Sequence, residues 1–145
     1  MKFFFSNNET LTGVRRLYRD KIYVRVKAHA NLTANTPYAV THDTTGVVSA
    51  ALPNANARVL VGVPESAISS GSYGWLQIQG PVTDLVVPSG NYTAGHALKV
   101  QGGAVASTGG NASTADNEFA VIVTGGTGVT EVDVILKGRE CSCSV

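Results

Sequence analysis

Apolar and polar residues alternate in short runs along most of this chain, and the runs carry the two-residue period of a strand. Between Arg19 and Ala28, the residues Ile22, Val24, Val26 and Ala28 fall on one face. Arg19, Lys21, Tyr23, Arg25 and Lys27 fall on the other, because successive side chains of a strand point to opposite sides. The same alternation predicts that Leu76 and Ile78 point inward while Trp75, Gln77 and Gln79 point away. Leu98 and Val100 flank Lys99, and Val132, Val134 and Leu136 alternate with Glu131, Asp133 and Lys137. Val59 to Val63 is continuously apolar, as expected of a strand buried on both sides. Turn formers punctuate the runs: His42-Asp43-Thr44-Thr45-Gly46 follows Val40, and Pro88-Ser89-Gly90-Asn91 follows Leu85-Val86-Val87. The polar, glycine-rich stretch Ser107 to Asn117 predicts a mobile loop, and Gly125 to Gly128 a shorter one. A short helix is compatible with Ser66 or Ser113 as its start, but no amphipathic helix of real length is present. Short strands at regular spacing predict an all-β fold, a compact sandwich or barrel-like domain.

The pattern occurs twice. Leu32-Thr33-Ala34-Asn35-Thr36-Pro37-Tyr38-Ala39-Val40 is echoed sixty positions later by Tyr92-Thr93-Ala94-Gly95-His96-Ala97-Leu98-Lys99-Val100. Each copy continues into a turn with a glycine and valine (Gly46-Val47-Val48 and Gly103-Ala104-Val105). Each then has an apolar run, Val59 to Val63 or Phe119 to Val123, and closes on an alternating strand that ends in Gly80 or Gly138. A duplicated set of short strands predicts a scaffold built by internal symmetry. The chain divides accordingly into an extended N-terminal arm (1–12), a β-domain (13–138) with repeats at about 32–80 and 92–138, and a flexible C-terminal tail (139–145). Each copy has too few strands to bury a core of its own, so the two are expected to form one compact unit.

Composition adds little to this, but charge distribution does. The net charge is +1, yet residues 1–30 hold seven basic residues against Glu9 and Asp20, while the remainder holds four basic against eight acidic. Such a bipolar chain invites association with an acidic surface or head-to-tail contact with its own kind. The basic ridge on the strand around Arg25 has two readings: a protected sheet edge, since Lys and Arg blunt edge pairing, or a docking surface for an anionic partner. The aromatic triplet Phe3-Phe4-Phe5 is a liability on a free monomer, so the arm is expected to fold back or dock on a partner. Lys2 and the triplet lack the length and cleavage pattern of a signal peptide, which predicts synthesis in the cytoplasm. The sequons at Asn8, Asn31, Asn91 and Asn111 then reflect a Thr- and Asn-rich composition.

Candidate chemistry is sparse. His29, His42 and His96 share no metal-ligand spacing, and His42-Asp43 lacks the nucleophile elbow that would complete a triad. Gly125-Gly126-Thr127-Gly128 lacks the lysine and hydroxyl of a phosphate-binding loop. Cys141 and Cys143 are too few for a structural zinc site and too close for an unstrained disulfide, which predicts thiols on a frayed end. An intermolecular cross-link or a shared metal where several C-termini meet is the alternative. Glu131 and Asp133 share one exposed strand face, more consistent with solubility than with paired acid–base catalysis. Trp75, with Tyr73 nearby, suits either a subunit contact or a sugar platform. No catalytic residue, metal ligand or cofactor site is expected, and the chain does not read as an enzyme. The acidic remainder and the lack of interleaved aromatics also argue against nucleic acid as partner, and no stretch approaches a membrane span.

The run Thr93-Ala94-Gly95-His96-Ala97-Leu98-Lys99-Val100, then Gly103-Ala104-Val105, then Phe119-Ala120-Val121-Ile122-Val123, resembles tailed-bacteriophage head decoration (cement) proteins. The first copy resembles them equally, with Asn35 in place of the glycine; the likeness spans about residues 28–138 and is shared with phage fibre and baseplate modules. It implies a small β-rich virion protein on the capsid exterior that clamps neighbouring capsomers, commonly as a homo-trimer, with the major capsid protein as partner. Under that reading Phe3, Phe4, Phe5, Arg15, Arg16, Arg19, Lys21, Arg25 and Lys27 are the candidate capsid or inter-subunit contacts. The alternative is a fibre or receptor-binding module whose Tyr73 and Trp75 contact host glycans. Deleting residues 2–12 is expected to abolish binding to purified shells while leaving the β-domain folded; unchanged occupancy would exclude the arm as the anchor.

Overall fold

The computed structural model describes residues 12–54, 57–111 and 117–143. These residues form strands β1 (Arg15–Tyr18), β2 (Lys21–Lys27), β3 (Tyr38–Asp43), β4 (Gly46–Ala50), β5 (Ala57–Pro64) and β6 (Tyr73–Tyr92), followed by β7 (His96–Gln101), β8 (Ala104–Asn111), β9 (Glu118–Thr124), β10 (Gly126–Lys137) and β11 (Cys141–Cys143). No helix occurs among the described residues. The fold is all-β, as the alternation predicts.

One continuous strand path, β1-β2-β4-β3-β5-β6-β10-β9-β7-β8, organises the molecule, and a second pairing of β2 with β6 folds its first part back on itself. The result is a closed ring, β2-β4-β3-β5-β6 and back to β2, whose seam at β2 and β4 is a parallel pairing at Lys27 and Val48. Closure removes strand edges and creates an interior. That interior holds Val24, Val26, Ala28, Leu32, Leu76 and Ile78, with Ile22, Tyr38, Val40, Val47, Leu60 and Ile68 against them. A second and larger core lies outside the ring. There the opposite faces of β3 and β5 (Ala39, Val59, Val61, Val63) pack with Leu98, Val100, Phe119, Ile122, Val132, Val134 and Leu136 of the second half. Strand β5 therefore serves both cores, which is why its sequence lacks alternation.

The internal repeat is visible in the topology. The order β4-β3-β5-β6 of the first copy matches β8-β7-β9-β10 of the second, and the copies meet along the antiparallel pair β6 and β10. Val40 lies between Ser49 and Leu60, and Leu98 lies correspondingly between Ser107 and Ala120. This register equates Val40 with Leu98, two positions from the sixty-residue sequence alignment; a shift of two keeps every side chain on its own face. Asn35 (φ 60) and Gly95 (φ 86) both occupy the left-handed region, and Asn is among the few L-residues that visit it readily. Each donates its backbone N–H at 2.8 Å to a carbonyl of the apolar strand of its copy, Pro64 or Ile122. The closing glycines Gly80 (φ 102) and Gly138 (φ 72) are matched in the same way, and a Cβ on Gly80 would meet the Asp20 carbonyl oxygen.

Several expectations give way to tertiary context. Pro88-Ser89-Gly90-Asn91 is not a turn: β6 runs through it for twenty residues, pairing with β10 beyond Gln79. Residues 107–111 belong to β8, and Gly126 to Gly128 open β10 as a bulged strand paired to Tyr92 and Gly90. Ser66 lies in a bend, and Ser113 lies outside the described residues. The C-terminus is not frayed at 141–143, because β11 pairs with the start of β5 and buries Cys141 completely in the larger core. Gln77 is buried rather than outward, since its flanks are Tyr23 of β2 and Val63 of β5; its amide nitrogen donates to the Pro81 carbonyl at 2.8 Å.

One ion pair is internal. Lys137 Nζ lies 2.8 Å from Glu118 Oε2, with side chains 16% and 4% exposed. Breaking such a pair costs far more than the pair contributes, because the remaining charge stays in a poor solvent. Glu118→Ala is expected to lower the unfolding free energy by about 3 kcal/mol. Glu118→Leu with Lys137→Met is expected to recover most of that loss. Urea unfolding followed by far-ultraviolet circular dichroism measures both.

Candidate docking face

The basic strand and the two aromatic residues, separate in the sequence, form one surface. Strand β2 pairs with the first half of β6 so that Arg25 lies opposite Trp75 and Lys27 opposite Tyr73. On the other side β1 sets Arg16 opposite Tyr23. Cross-strand partners share a face, so Arg16, Tyr23, Arg25 and Trp75 stack across three adjacent strands. The Arg16 guanidinium lies 4.5 Å from the Trp75 ring centre and 5.0 Å from that of Tyr23. Arg25 lies 5.7 Å from the Trp75 ring and 5.9 Å from that of Tyr73. At the ribbon tip Arg19 (φ 58) lies 5.4 Å from the Tyr18 ring.

Glu65, immediately after β5, completes the surface. Its carboxylate accepts a hydrogen bond from the Tyr23 hydroxyl at 2.9 Å and pairs with Lys21 Nζ at 3.2 Å. The Lys21 pair is solvent-exposed and contributes at most about 1 kcal/mol. The aromatic–guanidinium contacts of Arg16, an exposed residue, contribute about 0.5–1 kcal/mol each and those of the half-buried Arg25 add to them. Tyr23, expected on the outer ridge, is only 4% exposed, because Arg16 covers it and Glu65 takes its hydroxyl. Two shallow clefts flank the stack, about 600 Å³ beside Tyr18 and Lys21 and about 460 Å³ beside Ser69 and Trp75, and both share Arg16, Tyr23 and Glu65.

Of the residues singled out from sequence, Arg16, Arg19, Lys21, Arg25, Lys27, Tyr73 and Trp75 come together at this face or its tip. Arg15 does not. It pairs across to Val24, so its side chain belongs to the opposite face, where it lines a different cleft with Arg58, His42 and Glu140. Phe3, Phe4 and Phe5 lie outside the described residues. Glu65 is the residue that sequence reasoning missed. Nothing in its local sequence marked it, since its partners Lys21 and Tyr23 lie more than forty positions away.

Among the other candidate groups, His29, Asp43 and Asp133 have structural partners. Asp43 bonds not with His42 but with His29, at 3.1 Å, and accepts from the Thr45 amide at 2.7 Å. The Thr45 hydroxyl and amide, with His29 beside them, hold the Asp43 carboxyl below its ordinary value. Asp133 accepts from the Asp84 amide at 2.9 Å, anchoring a bulge where Asp84 is left-handed (φ 58). Among the described residues no group of three or more His, Cys, Asp or Glu side chains is placed to hold a metal ion.

No protein-family model matches the chain, and no curated protein matches it in sequence. Among solved structures it is similar to the N base of the head fibre gp8.5 of bacteriophage phi29, with a TM-score of 0.53 and 12% identity. The match covers 83% of this chain and 97% of that one. The likeness is one of fold. At this identity it transfers no residue of the docking face.

Burial, followed by the hydrogen bond to Glu65, pushes the Tyr23 hydroxyl up from 10.0 to about 12. A group whose folded pKa is raised binds its proton more tightly in the native state. Its contribution to stability is therefore intact below about pH 10 and is lost as pH climbs toward about 12. Absorbance titration at 295 nm is expected to show late-ionising tyrosines, since burial also raises Tyr92, with one fewer in Tyr23→Phe and that variant losing less stability than wild type across the window.

Proposed function

We propose that this protein is a structural component of a phage particle, attached to the outer face of the head, where it stabilises contacts between capsomers as a decoration protein. The observation that carries the reading is the fold likeness to a phage head-fibre base, which extends over nearly all of that module. The glycine–valine run of residues 93–123, a pattern that resembles head decoration proteins and is shared with fibre modules, is consistent with it. The major capsid protein is the proposed partner, the chain acts as a homo-trimer, and the Arg16–Trp75–Arg25 face is the side that docks. The reading assigns it no catalytic step and no cofactor.

The energetics suit a clip. A protein that binds only the closed shell lowers the free energy of that state by mass action. A trimer that meets three equivalent sites gains from effective concentration, provided that the spacing matches, so each contact need not be strong. A stacked, partly desolvated guanidinium face suits such contacts because its side chains are already ordered before binding.

A second reading, the base of a head fibre, is favoured by the identity of the structural neighbour itself. Glycan binding through Trp75 is less well supported, because Arg16 covers a ring face that a sugar would need. The test is sedimentation of the purified protein with expanded, empty heads lacking it, followed by thermal release of DNA from filled heads. Saturable, lattice-matched binding that raises the release temperature is the expected result. Binding at few sites with an unchanged release temperature would favour the fibre base. No binding, together with adsorption lost in Trp75→Ala, would replace both readings with receptor recognition.

A further inference from the structure

We infer that the outer edge of β1 is a strand-addition site for an extended segment of the partner in which acidic and apolar residues alternate. Strand β1 stands at the end of the strand path and pairs only with β2 among the described residues. All four of its residues are exposed, including Leu17 at 71% and Tyr18 at 50%. Its register with β2 runs unbroken from Arg15 to Tyr18, between a bulge where Gly13 (φ 78) and Val14 both face Arg25 and the left-handed Arg19 (φ 58). The opposite end of the path, β8, is irregular: its register with β7 breaks between His96 and Leu98, and Gly109 is left-handed. Bulges of that kind are a common protection of sheet edges, and the four residues Arg15–Tyr18 carry none between them.

Charge selects the occupant. Arg15, Arg16 and Arg19 lie on or beside the edge, so a second copy of β1 laid against it would set arginine near arginine, which is repulsive. An acidic strand meets the opposite condition. Arg16 adds to this charge on the outer face: its guanidinium is held over Tyr23 of β2 and Trp75 of β6, just inboard of the edge. A guanidinium fixed in this way attracts an incoming carboxylate with little further loss of side-chain freedom.

The two faces of β1 then dictate the period of the incoming strand. Arg16 and Tyr18 share the outer face, and Arg15 and Leu17 the other. A strand added beside β1 presents alternate residues to each face: a carboxylate beside Arg16, an apolar side chain beside Leu17. Backbone hydrogen bonds supply affinity, and the alternation supplies selectivity. This deepens the head-docking reading and takes the partner's identity from it, but its test does not involve shells, so either can fail while the other stands.

The probe is a blocked eight-residue peptide alternating Glu and Val, titrated into the full chain. Binding is followed by the fluorescence of Trp75, the sole tryptophan, and by amide chemical shifts of residues 15–18. Saturable binding is expected, centred on those amides and weakened several-fold on going from low to physiological salt. Arg16→Glu is expected to lose the Glu/Val peptide and to accept its Lys/Val counterpart. The same Glu/Val peptide N-methylated along one edge keeps its charge but lacks the N–H donors, and is expected to bind at least tenfold more weakly. Equal binding of the methylated peptide, unshifted 15–18 amides, or undiminished binding by Arg16→Glu would overturn the proposal. So would binding that appears only after residues 1–11 are removed, since the edge would then belong to the chain's own arm. Concentration-dependent shifts of the same amides without peptide would assign the edge to a second copy and overturn it equally.

Discussion

Everything in this molecule depends on the requirement that buried backbone groups be hydrogen-bonded, and on one strand that meets it for both halves. The first part of β6 pairs with β2 and β5 and closes the ring; the part beyond Gln79 pairs with β10 and opens the second sheet. A turn at Pro88-Ser89-Gly90-Asn91 would have ended that pairing and left the facing carbonyls and amides of β10 to water in a half-apolar environment. The continuous strand costs a bulge at Asp84 and left-handed φ at Gly80 and Asp84, both small beside a broken ladder. Because the two halves share this strand, neither is an independent domain. The ring interior and the larger core form two sides of the same wall, and β5 is buried on both of its faces in consequence.

Duplication explains why the wall is symmetrical and also why it is incomplete. Each copy supplies four strands in the same order, and their antiparallel junction at β6 and β10 relates them as an approximate two-fold pair. Four strands do not close a ring. The first copy closes by recruiting β2 from the preceding segment, while the second remains an open sheet that covers the ring and is sealed in part by β11. The duplicated segments thus perform different tasks. The first builds a barrel whose strands β3 and β5 turn apolar outer faces to the larger core, and the second supplies the other side of that core. The recruited segment β1-β2 is the most basic part of the chain, so the step that closes the ring also sets the charged ribbon on its outside.

The docking face follows from that placement. Basic residues on an isolated strand would be flexible and individually weak contributors. Laid across β6, they meet Trp75 and Tyr73, whose ring faces attract guanidinium groups and fix them. Glu65 takes up Lys21 and the Tyr23 hydroxyl, while the planar face of Arg16 is held over Tyr23 and Trp75. A face of this kind, rigid, cationic and bordered by an open strand edge, is ready to meet an acidic partner without a large ordering penalty. The rest of the surface carries the chain's excess of acidic residues, so the cationic face is distinct from the molecule that bears it.

The sequence alone determined the features that depend on neighbours a few residues apart. Alternation placed Val24, Val26, Leu76, Ile78, Leu98, Val100, Val132, Val134 and Leu136 inside, and all are buried. The continuous run at Val59 to Val63 marked the two-sided strand, and the repeat anticipated the matched strand order down to Asn35 standing where its twin has Gly95. What the tertiary structure decided are properties that need a distant partner. Pro88 to Asn91 and Gly126 to Gly128 carry turn chemistry, but each supplies the ladder that extends the other, and paired backbone outweighs local preference. Gln77 and Tyr23 look solvent-facing in alternation, yet strands and side chains from elsewhere cover them. Cys141 lies three residues beyond the last glycine signal and is buried because the start of β5 has an edge to pair. Trp75 and Arg16, nearly sixty positions apart, became one site only when β2 crossed β6, a contact that no periodicity within either strand encodes.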